Sequence, residues 1–125
     1  MTRKLLVGVY TVGLAATVLC GQPPAAAQAA DQGKASDKYH AYCQICHGNE
    51  GKGDGPDGVH LNPKPRNFAD CAEMAKHGDD EIIKVITHGG DSVGMSENMQ
   101  AWGGTLSGQE IRDLLKLIRS FCKKD

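Results

Sequence analysis

The segment Cys43-Gln44-Ile45-Cys46-His47 carries the clearest chemistry in this chain. Two thiols three positions apart lie on one helical turn, where both can add to the two vinyl groups on one edge of a porphyrin. The imidazole of the next residue then points at the iron. This C-x-x-C-H spacing is the attachment signal of c-type haem. It predicts one covalently attached haem c, with thioethers from Cys43 and Cys46 and with His47 as the proximal iron ligand.

Two other interpretations of this motif involve no haem: a redox-active dithiol and half of a zinc site. A thioredoxin-like dithiol is expected beside a βαβ pattern, and a structural zinc site needs a second pair of ligands. The sequence contains neither a strand alternation of useful length nor a second C-x-x-C. Haem attachment is therefore the favoured prediction.

The N-terminus predicts export, which agrees with the motif because c-type haem is attached outside the cytoplasm. Two cations precede a mostly apolar run over 5–19, and small residues follow. This order is typical of a secretory signal peptide. The run is shorter than the ~20 residues of a bilayer-spanning helix, so a retained anchor is the less favoured alternative. We predict a signal over 1–30, cleavage near Ala29/Ala30, and one periplasmic domain over 31–125.

Charge limits the kinds of partner. All 15 acidic residues follow the predicted signal, whereas Arg3 and Lys4, two of the 14 cations, leave with it. Twelve cations against 15 acidic residues give a net charge of −3. No basic stripe is present, which argues against a nucleic-acid partner. A protein surface is the expected partner, and no stable membrane insertion is expected after signal removal.

The remaining cysteines suggest a crosslink, which a chain of about 95 residues with few aromatic side chains needs. Cys20 falls in the signal region, and Cys43 and Cys46 are assigned to haem. Cys71 and Cys122 are left in an oxidising compartment and are predicted to form a disulfide. Two buried, unpaired thiols are the alternative.

The elements that must position these residues are predicted to be helices. One helix face over 37–45 follows a polar lead over 31–36, and a glycine-rich and proline-rich loop over 48–67 comes next. Asp70 is predicted to cap a short helix through Glu73.

Asp79 or Asp80 is predicted to cap a further helix, which ends before two glycines. An irregular stretch over 91–105 leads to a capping box of Ser107 and Glu110. The apolar positions of the terminal helix recur at helical spacing: Ile111, Leu114, Leu115 and Ile118. The predicted fold class is all-α, with long loops around one core.

Four segments resemble the bacterial monohaem class I c-type cytochromes. They read CHGNEGKGDGP over 46–56, PKPRNF over 63–68, DEIIKVITHGG over 80–90 and MQAWGGTLS over 99–107. The match covers about residues 37–122. It implies a small cytochrome c-like fold of about four helices packed around the haem. It also implies single-electron transfer between redox protein partners by a monomer that is not an enzyme.

The resemblance implies methionine as the second axial ligand. Met99 begins the segment that matches the family's ligand loop, and Met95 is the alternative. Gln100 stands where the family usually has proline, which predicts a less stiff loop. A thioether closes the iron to oxygen and raises the reduction potential. Met74 is interpreted as core filling.

The second ring nitrogen of His47 needs an acceptor to fix the ring. The resemblance points to a proline carbonyl in the following loop, with Pro56 as the best match and Pro63 as the alternative. The other histidines are predicted to be solvated or to act as helix caps: His40, His60, His77 and His88.

Two other functions remain as alternatives. One is a gas-binding or peroxide-reactive haem domain with an open sixth site, although the sequence supplies no evident distal acid-base pair. The other is a dedicated cytochrome subunit of a periplasmic dehydrogenase or oxidase, which uses the same carrier chemistry within a permanent complex.

Overall fold

A computed structural model describes residues 25–122, with side chains from residue 34 onward. Within that range the chain forms five α-helices and no strand, which confirms the all-α prediction. The helices are α1 (Ala25–Tyr42), α2 (Gln44–His47), α3 (Cys71–Met74), α4 (Asp79–His88) and α5 (Gly108–Phe121), and single 3₁₀ turns lie at Gly58–His60 and Asp91–Val93. None of the helices in this range has the length and apolar character needed to cross a bilayer.

Helix α1 begins earlier than the sequence predicted. The expected polar lead over 31–36 is helical, and the helix extends back to Ala25. The alanine-rich run explains the difference, because alanine has the highest intrinsic helix propensity. The predicted cleavage near Ala29/Ala30 falls within this helix and stays a prediction. Most of the predicted signal, including Cys20, lies outside the described residues.

The two middle helices have different caps. The Asp70 carboxylate accepts a hydrogen bond of 3.0 Å from the Glu73 backbone amide, as predicted for α3. The prediction for α4 was wrong by one position, because Gly78 is the N-cap, and Asp79 and Asp80 lie in the first turn. Acidic side chains are favourable there because they lie against the positive end of the helix dipole.

Helix α5 forms the centre of the packing. Its predicted capping box is present, with Ser107 and Glu110 bonded reciprocally. Its buried face packs against α1 and α4. Across the contact with α1, the rings of Tyr39 and Phe121 lie 5.1 Å apart. The core it completes comprises Tyr39, Phe68, Met74, Ile82, Ile86, Leu106, Ile111, Leu114, Leu115 and Ile118.

The structure pairs the Cys71 and Cys122 sulfurs as a disulfide, with the two Cα atoms 5.0 Å apart. Cys71 is the first residue of α3, and Cys122 directly follows α5. The bridge therefore ties a helix of only four residues, too short to be stable alone, to the longest well-packed helix of the core.

Loss of this bridge is expected to lower the free energy of unfolding by on the order of 4 kcal/mol, the chain-entropy value for a loop of about 50 residues. Cys122→Ser and the double variant with Cys71→Ser should show the same loss in urea titrations, because either change removes the same bond. Labelling of the denatured wild type should find neither cysteine reactive. Quantitative labelling of both would show that the bridge does not form.

Candidate functional site

A cavity of about 480 Å³ lies between the end of α1, the loop over 61–68, α4 and the segment over 95–102. This volume is in the range of small-molecule and cofactor sites. The residues predicted for haem binding all line it: Cys43, Cys46, His47, Met95 and Met99. The remaining wall is largely apolar and includes Ile82, Ile86 and Trp102. The fold thus brings together residues that are far apart in the sequence.

The two cysteines of the motif are unpaired thiols. Burial, with a smaller contribution from Cys46, raises the pKa of Cys43 to about 11. Burial also raises the pKa of the Cys46 thiol. Both side chains are therefore protonated near neutral pH, and both lie at the cavity on the helical turn that ends at His47.

His47 is held in one orientation by two contacts. Its ring stacks on Phe68, with centroids 4.4 Å apart and an interplanar angle of 14°. Its Nδ1–H donates to the carbonyl oxygen of Arg66 over 3.4 Å. Burial lowers the pKa of His47 to about 4, against the opposing effect of the Arg66 hydrogen bond. The imidazole is therefore neutral, and its Nε2 lone pair is free to bind a metal.

The acceptor for His47 differs from the expected one. The sequence predicted the carbonyl of Pro56 or Pro63, and the structure gives this role to Arg66. Every residue has a carbonyl oxygen, so the residue type does not reveal which one faces the ring. Arg66 follows Pro65, whose fixed φ limits the conformations of the loop at this point.

The loop after the motif is fastened to the motif's backbone. The three carbonyl groups of residues 45–47 accept hydrogen bonds of 3.0, 3.2 and 2.9 Å from the amides of Asp57, Gly55 and Gly53. Gly58 lies so close that a Cβ there would collide with the middle of these carbonyls. Only glycine permits this approach, which holds the attachment turn rigidly at the cavity.

The two candidate methionines make different contacts. Met99 packs against the core cluster, and its carbonyl accepts a hydrogen bond of 2.8 Å from the Gly90 amide. The Met95 sulfur instead accepts from the Arg66 guanidinium at 3.8 Å. A thioether is a weak acceptor, but a charged donor favours this position for Met95.

The segment that contains Met99 is anchored to the end of α4. Trp102 donates its amide to the Ile86 carbonyl over 2.9 Å, and its ring lies 5.0 Å from that of Tyr42. Gly103 donates to the Thr87 carbonyl over 3.0 Å. These bonds restrict the segment although Gln100 replaces the proline expected there.

A polar cluster lies on the cavity wall and was not predicted from the sequence. Arg66, Glu73, His77 and Glu81 all line the cavity and contact one another. The prediction that His77 is solvated or a helix cap was wrong, because only 17% of its side chain is exposed. A spacing of four residues between Glu73, His77 and Glu81 is the signal that could have found the cluster.

The other histidines agree with their predictions. His40, His60 and His88 are exposed, and none of the three lines the cavity. Met74 is 2% exposed and belongs to the core, as predicted.

A family model described as cytochrome c oxidase, cbb3-type, subunit III matches residues 28–118. The KustC0563 c-type cytochrome is a solved structure with 30% identity and a TM-score of 0.57, and the match covers 71% of this chain and 98% of that one. A chain of the Kuenenia stuttgartiensis reducing HAO-like protein complex Kustc0457/Kustc0458 has 26% identity and a TM-score of 0.55, covering 70% of this chain and 41% of its own. The comparison with curated proteins gave no match.

Proposed function

The chain belongs to the c-type cytochrome family described as cytochrome c oxidase, cbb3-type, subunit III, and from this premise we propose that it shuttles single electrons between protein partners in the periplasm. It is a monohaem class I c-type cytochrome, so its cofactor is one covalently bound haem c. The family supports haem-based electron transfer. We further propose His47 and Met99 as the axial ligands, the periplasm as the compartment, and a role without catalysis.

The residues of the cavity fit such a cofactor. Two unpaired thiols and a buried neutral imidazole lie together on one wall of an apolar cavity, and Met99 lies in the segment lining another part. Bound haem supplies an iron that alternates between Fe(II) and Fe(III). Cys43 and Cys46 would form its thioethers, and His47 would bind the iron through Nε2.

The neutral, oriented His47 carries the proposal. Its Nδ1–H is committed to the Arg66 carbonyl and its ring face to Phe68, so only Nε2 remains for a ligand. Fixed ligand geometry favours an electron carrier, because the iron ligands then move little when the iron changes its oxidation state. The packing of Met99 against the core supports it over Met95, whose sulfur is engaged by Arg66.

A visible spectrum of the purified holoprotein in both redox states tests this function. We expect one haem for each chain, a weak long-wavelength band from the methionine thioether in the oxidised state, and no carbon monoxide adduct in the reduced state. Ready binding of carbon monoxide without the thioether band would instead favour a gas-binding or peroxide-reactive domain.

A permanent subunit of a dehydrogenase or oxidase is the second candidate. The family description names an oxidase subunit, and one similar structure comes from a protein complex. The net charge of −3 expected after removal of the predicted signal favours a protein partner with a basic surface in either case. Size-exclusion chromatography of native protein separates the two, because a shuttle elutes as a monomer and a subunit elutes with a stoichiometric partner.

A further inference from the structure

The cluster of Arg66, Glu73, His77 and Glu81, named here the His77 cluster, has a hydrogen-bonding arrangement that changes with one proton. The Nδ1 atom of His77 lies 2.9 Å from the Glu81 carboxylate. Its Nε2 atom contacts a guanidinium nitrogen of Arg66. Nε2 also lies 3.5 Å from the Glu73 carboxylate, to which the same guanidinium nitrogen donates over 3.1 Å.

These contacts fix the protons of neutral His77. A carboxylate only accepts and a guanidinium only donates. Nδ1 therefore carries the proton and donates to Glu81, while Nε2 accepts from Arg66. A second proton on Nε2 would end the bond from Arg66, because two donors would face each other. Glu73 is already in place to accept the new Nε2–H, so the protonated state also has a satisfied arrangement.

The His77 cluster lines the same cavity as the residues predicted to bind haem. Resting on the proposed one-electron function, we propose that His77 binds a proton when the haem is reduced and releases it when the haem is oxidised. One electron from a protein donor converts Fe(III) to Fe(II), and one proton from water binds Nε2 of His77. Oxidation by the acceptor protein returns the electron and releases the proton to water.

Electrostatics determine the direction of this coupling. Reduction removes one positive charge from the cavity, so a group on the cavity wall binds a cation more strongly in the reduced protein. Around the imidazole, the loop contributes the positive Arg66, and α3 and α4 contribute the negative Glu73 and Glu81. Both carboxylates lie within hydrogen-bond distance of the imidazole, whereas Lys76 pairs with Glu73 from outside the ring contact, so each ring N–H of the protonated His77 has an anionic acceptor. Imidazole changes charge within the range of pH 5–8.

The surrounding charges keep these partners in place. Lys76 pairs with Glu73 over 2.7 Å, and this bond, followed by that from His77, lowers the pKa of Glu73 to about 2. Glu73 is therefore ionised throughout the working range. From α5, Arg119 donates to the His77 carbonyl over 2.6 Å and pairs with Asp79. Arg119 thus holds the backbone of His77 rather than its ring.

The reduction potential of the holoprotein, measured between pH 5 and 8 by spectroelectrochemical titration, tests the proposal. The wild-type potential should fall as pH rises, with a limit of 59 mV for each tenfold change in proton concentration. His77→Gln should remove most of this slope. His88→Gln is the matched control, because His88 is exposed and lies outside the cavity wall, and it should keep the slope.

Two further measurements cover the case in which His77→Gln fails to fold. NMR of the wild-type His77 ring should give its titration at higher pH in the ferrous protein than in the ferric protein. Glu81→Gln should move the sloping region to lower pH, because the carboxylate that faces Nδ1 loses its charge. A flat wild-type potential, equal His77 titrations in both redox states, or an unchanged slope in His77→Gln would overturn the proposal. Absence of the thioether band would overturn the proposed function instead.

Discussion

Met99→Ala is expected to abolish the weak long-wavelength band of the oxidised protein and to let carbon monoxide bind the reduced protein. The reduction potential should also fall, because a thioether favours Fe(II) and alanine supplies no ligand. Absorption spectra with and without carbon monoxide, together with a potentiometric titration, measure all three effects.

Met95→Ala is the matched control, because its side chain lies in the same cavity and has the same size. It should keep the band and exclude carbon monoxide, since its sulfur contacts Arg66 in the structure. If Met95→Ala produces the changes and Met99→Ala does not, the sixth ligand is Met95 and the carrier function survives.

Replacing both Cys43 and Cys46 by alanine is expected to remove all covalent haem from the polypeptide. The two thiols lie on the same turn as His47 and are the only unpaired cysteines among the described residues. Acid-acetone extraction should leave haem on the wild-type chain and none on the variant.

The control is the double variant Cys71→Ser with Cys122→Ser, which removes the same number of cysteines elsewhere. It should retain covalent haem even if its stability is lower. Release of haem from the wild type into acid acetone would contradict thioether attachment.

Local sequence patterns predicted the helices that have a clear capping motif or a regularly spaced apolar face. Helix α5 has a capping box and an apolar face at regular spacing, so both its start and its buried side follow from the sequence. The start of α4 was predicted one residue late, because three successive acidic residues follow Gly78 and each is favourable near a helix N-terminus. The cap was decided by the backbone conformation of Gly78, which no residue pattern fixes.

The site was predictable only where residue type carries the chemistry. Cysteine and histidine in the attachment motif are specific, so Cys43, Cys46 and His47 could be named before the fold was known. The partner of His47 is a backbone carbonyl, which every residue possesses, and Arg66 was therefore missed. The environment of His77 depends on the loop, α3 and α4 meeting at one cavity, and this meeting is a property of the tertiary fold.

The packing of α1 on α5 has a consequence for the order of events during synthesis. The rings of Tyr39 and Phe121 pack against each other, yet the two residues lie near opposite ends of the described chain. The N-terminal side of the chain is synthesised first and, in the proposed export, also leaves the cytoplasm first, so Cys46 is present outside before α5 can close the core. During this interval the thiols lack the burial that raises the pKa of Cys43 to about 11 in the folded chain. Until the last helix packs, both cysteines of the motif therefore remain accessible for thioether formation.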